Sequence, residues 1–390
     1  MAASTVLTAY CNWLDASGVH YPKVAIRYID DMQGYGLFAK EAIAKNEAVM
    51  NIPESIVMDT ESIRKIAPFD TLFKEQPNDE LALFAAMERT NPESPFKHYF
   101  DMIFNRGNLI PLLTYTKKDI EDLPIVMQPL WLVEQGHVEE SYALAKELCP
   151  KLTKTNFHES FNSVFTRSYK SYEKTCLIPL ADMANHSATP NTYQFRLRRA
   201  DPQRYMIMSS RAIDKDEEIT FSYGEFDNGF LWLLYGFCLK GNPFSRAGLP
   251  WTVLIDYMLE ETLISASTVE FLQKTMMRGN ALAPVVYVNV KGEVCAGFRN
   301  NVQVLLSMAD TLTGKSATSP RQIAALELRV TEAIGQILMR FRSFLDGKAV
   351  TVSEEKKFLW LDDLFCVDTA LKKLKSLNVC SYYVIDAVKT

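Results

Sequence analysis

The sequence has few histidines and no clustered cysteines. Its five histidines form no HExxH motif, and its seven cysteines are scattered without a CxxC pair. Metallohydrolase sites, cysteine-rich zinc sites and disulfide frameworks all depend on such spacings. We therefore expect no bound metal and a reducing intracellular location. The cytoplasm is the expected compartment, with the nucleus or an organelle as alternatives.

Long hydrophobic runs and an excess of basic residues are also lacking. The most apolar stretch, 230–239, is about half of the roughly 20 residues that cross a bilayer, and the amino terminus does not resemble a secretory signal. Lys and Arg number 42 against 47 Asp and Glu, which gives a net charge of −5. Proteins that coat nucleic acid normally present a basic face. We expect neither a membrane nor a nucleic-acid partner.

The hydrophobic pattern predicts a β-rich part interrupted by helices. Apolar residues at helical spacing predict an opening helix over 4–16 and further helices over 79–88 and 155–172. The stretch 91–152 carries several prolines and is typical of an insertion of short helices and loops. Short β-rich runs are predicted at 24–29, 37–38, 48–52, 176–180, 192–197, 204–209 and 218–223.

The last third of the sequence is mainly helical in pattern. Ser319, Pro320 and Gln322 form a helix start with an N-cap, a first-turn proline and a capping-box partner. Apolar residues then recur at helical spacing until Gly347, which predicts a long amphipathic helix. A hairpin is predicted around 291–292.

Two short segments in the first half of the chain, one rich in glycine and one polar, contain candidate ligand-binding residues. The glycines of Gln33-Gly34-Tyr35-Gly36 allow backbone to approach a ligand closely, although a plain hairpin turn is the commoner explanation when they are taken alone. Arg167, placed on the predicted helix 155–172, is able to bind a carboxylate through two parallel hydrogen bonds. Taken alone, it is more typical of a solvated surface arginine.

Two further pieces follow β-rich runs. Asp182, Asn185 and His186 come directly after an apolar run, where buried polar groups must find partners, and a structural Asn-His turn remains an alternative. Tyr223 ends the last β-rich run and precedes Gly224, where the backbone is free to turn. Such a tyrosine either presents its hydroxyl to a site or packs in the core.

In this order, the pieces G-x-G, A-D-x-x-N-H-S and D-E-E-I-x-x-x-Y-G resemble a SET-domain protein methyltransferase of the Rubisco large-subunit methyltransferase-like class. The resemblance covers residues 20–240. It implies an α+β fold in which a β-rich SET domain over 1–244 carries a helical insertion at about 91–160. A mainly α-helical C-terminal domain over 245–390, which binds the substrate in that class, completes the implied architecture.

The resemblance also implies S-adenosylmethionine as the methyl donor, a lysine-bearing protein as the acceptor, and a monomer. Arg167 matches the arginine that meets the cofactor carboxylate, and Phe237 matches the aromatic residue packed on the adenine. The implied cofactor-binding residues are Gln33, Gly34, Tyr35, Arg167, Asn185, His186 and Phe237. Tyr223 matches the catalytic tyrosine, and Asp182 and Tyr235 match residues that line the pocket of the target side chain.

Methyl transfer from a sulfonium requires a neutral amine. A free lysine has a pKa near 10.4, so about one in 10³ is neutral at pH 7. A largely apolar channel and the nearby sulfonium charge both lower that pKa. Tyrosine hydroxyls and near-attack geometry then suffice without a strong general base.

The resulting hypothesis is a protein-lysine N-methyltransferase acting on a non-histone protein, since many chromatin-directed SET enzymes resemble one another in carrying cysteine-rich zinc modules. One alternative is a protein-histidine methyltransferase of the actin type, whose acceptor is a neutral imidazole with a pKa near 6.5. The other is a SET-fold binding protein without catalysis.

Overall fold

The structure is a computed structural model that describes residues 2–29, 34–65, 76–104, 109–171, 174–197, 204–276, 282–315 and 317–387. The chain divides into two compact units. The first contains residues 1–114, 133–225 and 234–236, and the second contains residues 115–132, 226–233 and 237–390. Within the described ranges, no helix has both the length and the hydrophobicity that are needed to span a membrane.

The helices lie in both units. In chain order they are α1 (Ala2–Ala16), α2 (Thr60–Arg64), α3 (Pro77–Glu88), α4 (Lys97–Phe104), α5 (Pro111–Thr114), α6 (Lys117–Ile120), α7 (Met127–Leu148), α8 (Lys154–Phe165), α9 (Asn228–Tyr235), α10 (Trp251–Glu260), α11 (Ala266–Met276), α12 (Ala296–Leu312), α13 (Pro320–Thr351) and α14 (Glu354–Ala387).

The strands lie mainly in the first unit. In chain order they are β1 (Val24–Ile29), β2 (Gly34–Ala39), β3 (Ala48–Pro53), β4 (Met58–Asp59), β5 (Tyr169–Ser171), β6 (Lys174–Leu177), β7 (Asn185–His186), β8 (Thr192–Leu197), β9 (Arg204–Ser209), β10 (Glu218–Phe221), β11 (Arg246–Pro250) and β12 (Val285–Asn289).

Three small sheets form the β part of the first unit. Their strand orders are β1-β2-β10-β7, β3-β9-β8 and β4-β6-β5. All neighbouring pairs are antiparallel except β10 and β7, which run parallel. Because β7 and β10 come from two remote polar pieces of the sequence, this pairing brings those pieces together at one sheet edge.

The second unit is mainly helical. Helices α10, α12, α13 and α14 pack with the antiparallel pair β11-β12 around one core that includes Trp360, Phe298 and Phe341. The predicted capping box at Ser319 and Gln322 is present at the start of α13. The predicted α+β fold, with a β-rich first part and a mainly helical C-terminal region, is confirmed.

Several predicted element bounds are wrong. The predicted helix 155–172 ends at Phe165, because Tyr169–Ser171 pair with β6 and this pairing overrides the helical pattern. Arg167 therefore lies after the helix. The stretch 91–152 holds the 22-residue α7, since Pro129 falls in its first turn, where proline is tolerated. Helix α13 also continues past Gly347 to Thr351.

The contacts divide the chain differently from a single cut at residue 244. Residues 115–132, inside the predicted insertion, belong to the same compact unit as 237–390. For example, the Trp360 indole Nε1 donates to the Asp122 carbonyl at 2.8 Å. The domain ranges 1–244 and 245–390 stay a prediction about independent folding.

Candidate active site

The predicted glycine turn is wrong: Gly34 and Gly36 lie within strand β2, opposite Ile29 and Arg27 of β1. A Cβ atom on Gly36 would lie 2.8 Å from Ile29 Cδ1 and 2.9 Å from both Asn185 Nδ2 and Glu218 Oε1. The space beside Gly36 is therefore filled by the protein's own side chains. Because Gly36 has no side chain, β2 lies directly against Asn185 of β7 and Glu218 of β10.

The other residues of this piece have different positions. Gln33 lies outside the described residues. Gly34 and Tyr35 are buried in β2, and the Tyr35 ring meets the Tyr28 ring edge-on at 5.2 Å between centroids. Their assignment to the cofactor loop stays a prediction.

Arg167 is buried, not solvated. Only 7% of its surface is exposed. Its Nη1 donates to the Asp182 carbonyl oxygen at 2.9 Å and lies 3.7 Å from the Asp182 carboxylate. Within the described residues, no hydrogen bond is made by its Nε or Nη2. A buried guanidinium with remaining donors fits a ligand carboxylate.

Asp182 is buried beside Arg167 and Tyr99. Its side chain has no exposed surface, and Oδ2 accepts from the Tyr99 hydroxyl at 2.7 Å. A buried carboxylate needs a donor and a counter-charge, and Tyr99 and Arg167 supply them. The assignment of Asp182 to the wall of the target pocket stays a prediction.

Asn185 and His186 form the edge strand β7. The Asn185 amide donates to Glu218 Oε1 at 2.7 Å. His186 Nδ1 accepts from the Tyr223 backbone N–H at 3.0 Å. Burial lowers the pKa of His186, with an opposing contribution from the Phe221 backbone, so the imidazole is neutral near pH 7. His186 thus serves as a hydrogen-bond acceptor that orients Tyr223.

Tyr223 follows β10 by two residues and precedes Gly224, whose φ of 146° lies in the region that favours glycine. Its hydroxyl donates to the Ala184 carbonyl at 3.1 Å. Its ring lies 5.2 Å from the His186 ring and 5.2 Å from the Tyr235 ring. The backbone N–H and the hydroxyl of Tyr223 are thus both bonded to residues 184–186, which include β7.

Tyr235 continues this aromatic cluster. Its ring lies 6.3 Å from the Phe165 ring, which the sequence did not single out. Burial raises the pKa of Tyr235 to about 12, so its hydroxyl stays protonated at neutral pH. Phe237, two residues on, belongs to the second compact unit, and its role at the adenine stays a prediction.

The structure adds four residues that sequence reasoning missed. They are the buried Tyr10, Tyr99, Tyr169 and Leu180. No local pattern marks them, because their hydrogen bonds join residues up to 170 positions apart. Among the described residues, no group of three or more His, Cys, Asp or Glu side chains is placed to hold a metal ion.

The comparisons with known proteins agree with this geometry. Residues 34–224 match the SET domain family model. SET domain-containing protein 4 of Homo sapiens is 23% identical over 254 residues, 58% of this chain and 57% of that protein. The Rubisco large subunit N-methyltransferase of Pisum sativum is 20% identical over 60% of this chain and 52% of its own length.

A relative that is named for a histidine acceptor has a similar sequence identity to this chain. The actin-histidine N-methyltransferase of Danio rerio is 24% identical over 289 residues, 62% of this chain and 48% of that protein. The alignments with these three relatives thus cover about half of each relative's length.

A solved structure of Rubisco LSMT bound to AdoMet has the same fold. The TM-score is 0.66 at 14% identity, and the match covers 96% of this chain and 92% of the other. The family match over 34–224 and the likeness to this solved structure therefore agree. Residues 34–224 of this chain match the SET domain, and the chain has the fold of Rubisco large-subunit methyltransferase.

Proposed function

We propose that this protein is an S-adenosylmethionine-dependent methyltransferase that modifies a lysine side chain of a non-histone protein. The SET-domain match supports methyl transfer, and relatives named as Rubisco and actin methyltransferases support a protein acceptor. The proposal includes action in the cytoplasm as a monomer. The scattered cysteines and the net charge of −5 support an intracellular protein without a nucleic-acid partner.

The observation that carries the proposal is the orientation of the Tyr223 hydroxyl. Because this hydroxyl donates its proton to the Ala184 carbonyl, its oxygen lone pairs point away from that carbonyl. Such an oxygen is able to accept from the N–H of an incoming amine. It also stabilises the positive charge that a methyl group carries in the transition state.

The surroundings of Tyr223 suit an uncharged acceptor. His186 is neutral, Tyr235 stays protonated, and both rings pack against Tyr223. This cluster supplies no strong general base, so the amine must lose its proton before it reacts. A poorly solvated aromatic environment lowers the pKa of a lysine and promotes that loss.

The residues present fit the cofactor. Arg167 keeps buried N–H donors for a carboxylate, and its Nη1 already holds the segment that leads into β7. When bound, S-adenosylmethionine supplies the electrophilic methyl group. Arg167 would hold its carboxylate, the backbone of Asn185 and His186 would hold its amino-acid end and adenine, and Tyr223 would orient the acceptor.

The test uses the full chain with S-adenosylmethionine that carries a labelled methyl group, together with a cell lysate. Mass spectrometry then locates the label. We expect it on a lysine Nζ; a label on an imidazole would support the histidine alternative. An unlabelled lysate, with intact cofactor binding in calorimetry, would overturn the proposal in favour of a binding protein.

The Tyr223→Phe variant tests the catalytic assignment. Removal of one oxygen should lower turnover on the order of 10²-fold, as loss of one preorganised group does elsewhere, with cofactor affinity nearly unchanged. The free energy of unfolding should fall by no more than about 1–2 kcal/mol. Tyr193→Phe, at an exposed tyrosine on β8, is the matched control. Normal turnover of Tyr223→Phe would remove this tyrosine from catalysis.

A further inference from the structure

The residues 180–184, here called the 180–184 segment, hold an unusual backbone conformation. Leu180 has φ 73° and ψ −50°, although it is not a glycine and its side chain is fully buried. A residue with a side chain persists in this region only where the surroundings hold it there. The segment immediately precedes Asn185 and His186.

Four buried polar side chains hold this segment. The Leu180 N–H donates to the Tyr10 hydroxyl at 2.7 Å, and the Tyr169 hydroxyl donates to the Ala181 carbonyl at 2.7 Å. The remaining two bonds reach Asp182: Arg167 donates to its carbonyl and the Tyr99 hydroxyl donates to its carboxylate. Three consecutive residues are thus each fixed by a side chain from a different part of the chain.

The two tyrosines Tyr10 and Tyr99 are themselves firmly placed. Both are fully buried, and their rings lie 6.4 Å apart between centroids. Trp13 packs against both rings and donates from Nε1 to the Pro95 carbonyl at 2.9 Å. Burial raises the pKa of both tyrosines well above the ordinary value, so each hydroxyl is protonated. Helices α1 and α4 therefore present rigid, neutral hydrogen-bonding groups to the segment.

The segment ends at the group that orients Tyr223. The Ala184 carbonyl accepts from the Tyr223 hydroxyl at 3.1 Å, and it follows Asp182 by two residues. A displacement of the segment would therefore move this carbonyl and rotate the Tyr223 hydroxyl with it. Neither Tyr10 nor Tyr99 has a described contact with Tyr223 itself.

We infer that Tyr10 and Tyr99 are positioning residues, which fix the Tyr223 hydroxyl for methyl transfer through the 180–184 segment. The inference rests on the proposed function for its catalytic consequence. It extends the site to α1, which precedes the region 34–224 matched by the SET model. It also gives α4, inside the predicted insertion, a role in supporting the site through Tyr99.

The first test is independent of catalysis. A fluorinated tyrosine is placed at position 223 of the full chain, and its fluorine NMR resonance is compared between the parent protein, Tyr10→Phe and Tyr99→Phe. Tyr205→Phe is the matched control, because Tyr205 is equally buried in the same unit but lies on β9. We expect a shifted or broadened resonance in both variants and an unchanged resonance in the control.

The outcome that overturns the inference is an unchanged resonance in folded Tyr10→Phe and Tyr99→Phe. A variant that fails to fold is replaced by Tyr169→Phe, which removes the hydrogen bond to the Ala181 carbonyl in the same way. A resonance that responds equally to Tyr205→Phe would also overturn the inference, since a general loosening of the unit would then explain the effect.

The second test separates kcat from KM. With the acceptor found by the labelling experiment, Tyr10→Phe and Tyr99→Phe should lower kcat about 10-fold, less than the 10²-fold that a misplacement of roughly 1 Å costs. KM for S-adenosylmethionine should change less than threefold. An unaltered kcat would contradict the inference. If the parent protein transfers no methyl group, the proposed function fails, while the fluorine resonance still decides the positioning role.

Discussion

At the residue scale, Arg167 has two functions that its variants can separate. Its Nη1 serves the fully buried Asp182, and its other donors remain for a cofactor carboxylate. Arg167→Ala should lower the free energy of unfolding by about 3–5 kcal/mol, because it leaves a buried carboxylate without its counter-charge. It should also weaken cofactor binding by about 1.5–3 kcal/mol.

The double variant distinguishes these two effects. Asp182→Asn removes the buried charge but leaves the Arg167 donors in place, so it should retain most cofactor affinity. Arg167→Ala combined with Asp182→Asn should regain stability and still bind the cofactor poorly in calorimetry. Normal affinity of the folded double variant would remove Arg167 from the cofactor site.

A second residue-scale prediction concerns His186 and pH. Since burial lowers the pKa of His186, the folded state binds fewer protons than the unfolded state below about pH 6.5. Its contribution to the free energy of unfolding is therefore present above that pH. The contribution is lost as pH falls through the lower pKa of the folded state, because protonation of Nδ1 breaks the bond from the Tyr223 N–H.

Urea unfolding between pH 7.5 and 5 measures this loss. His186→Asn keeps an acceptor near the place of Nδ1 but does not titrate, so its stability should depend less steeply on pH in this window. His98→Gln, at an exposed histidine on α4, is the control. Identical pH profiles for His186→Asn and the parent protein would contradict the assignment.

At the scale of elements, the sheet β1-β2-β10-β7 depends on the lack of a side chain at Gly36. Gly36→Ala should lower the free energy of unfolding by about 1–3 kcal/mol, because its methyl group would meet Ile29 and both members of the Asn185–Glu218 hydrogen bond. Gly136→Ala on α7 is the matched control, since nothing lies within 4 Å of the added atom.

The two glycine variants should differ in sign. Gly136→Ala should raise the free energy of unfolding by about 0.5–1 kcal/mol through helix propensity. Chemical denaturation of both variants and the parent protein gives the comparison. If Gly36→Ala were as stable as the parent protein, the side chains of Asn185 and Glu218 would not lie against Gly36 in this way.

At the scale of the whole molecule, the second unit needs segments from the first half of the sequence. The Lys356 ammonium donates to the Asp119 carbonyl at 2.8 Å, and the fully buried Trp360 donates to the Asp122 carbonyl. A chain cut after residue 244 keeps Asp119 and Asp122 but loses both partners. We therefore expect this chain to lack the stability of the full protein.

Circular dichroism during heating tests this expectation. The cut chain should unfold at a lower temperature, or without a cooperative transition. In the full chain, Trp360→Ala should lower the free energy of unfolding by about 3–5 kcal/mol, as large core truncations do. If the cut chain unfolds in one cooperative transition at the same temperature as the full protein, that result would instead support the predicted domain ranges 1–244 and 245–390.

Features that depend on near neighbours in the chain could be predicted from the sequence alone. The strands 24–29, 192–197 and 204–209 and the capping box of α13 lie where the local pattern predicts them. Turn chemistry is equally local: Asp216, which precedes β10 by two residues, has a positive φ of 66°. These features require only contacts along a few residues, so propensity and periodicity suffice.

The support of the candidate site, in contrast, depends on contacts between segments that are far apart in the sequence. Pairing with β6 made a strand of Tyr169–Ser171 against the helical pattern, and burial turned Arg167 and Asp182 into a coupled pair. The bond between Tyr10 and Leu180 spans 170 positions. A buried polar group takes its partner from whichever segment packs beside it, and no local pattern encodes that choice.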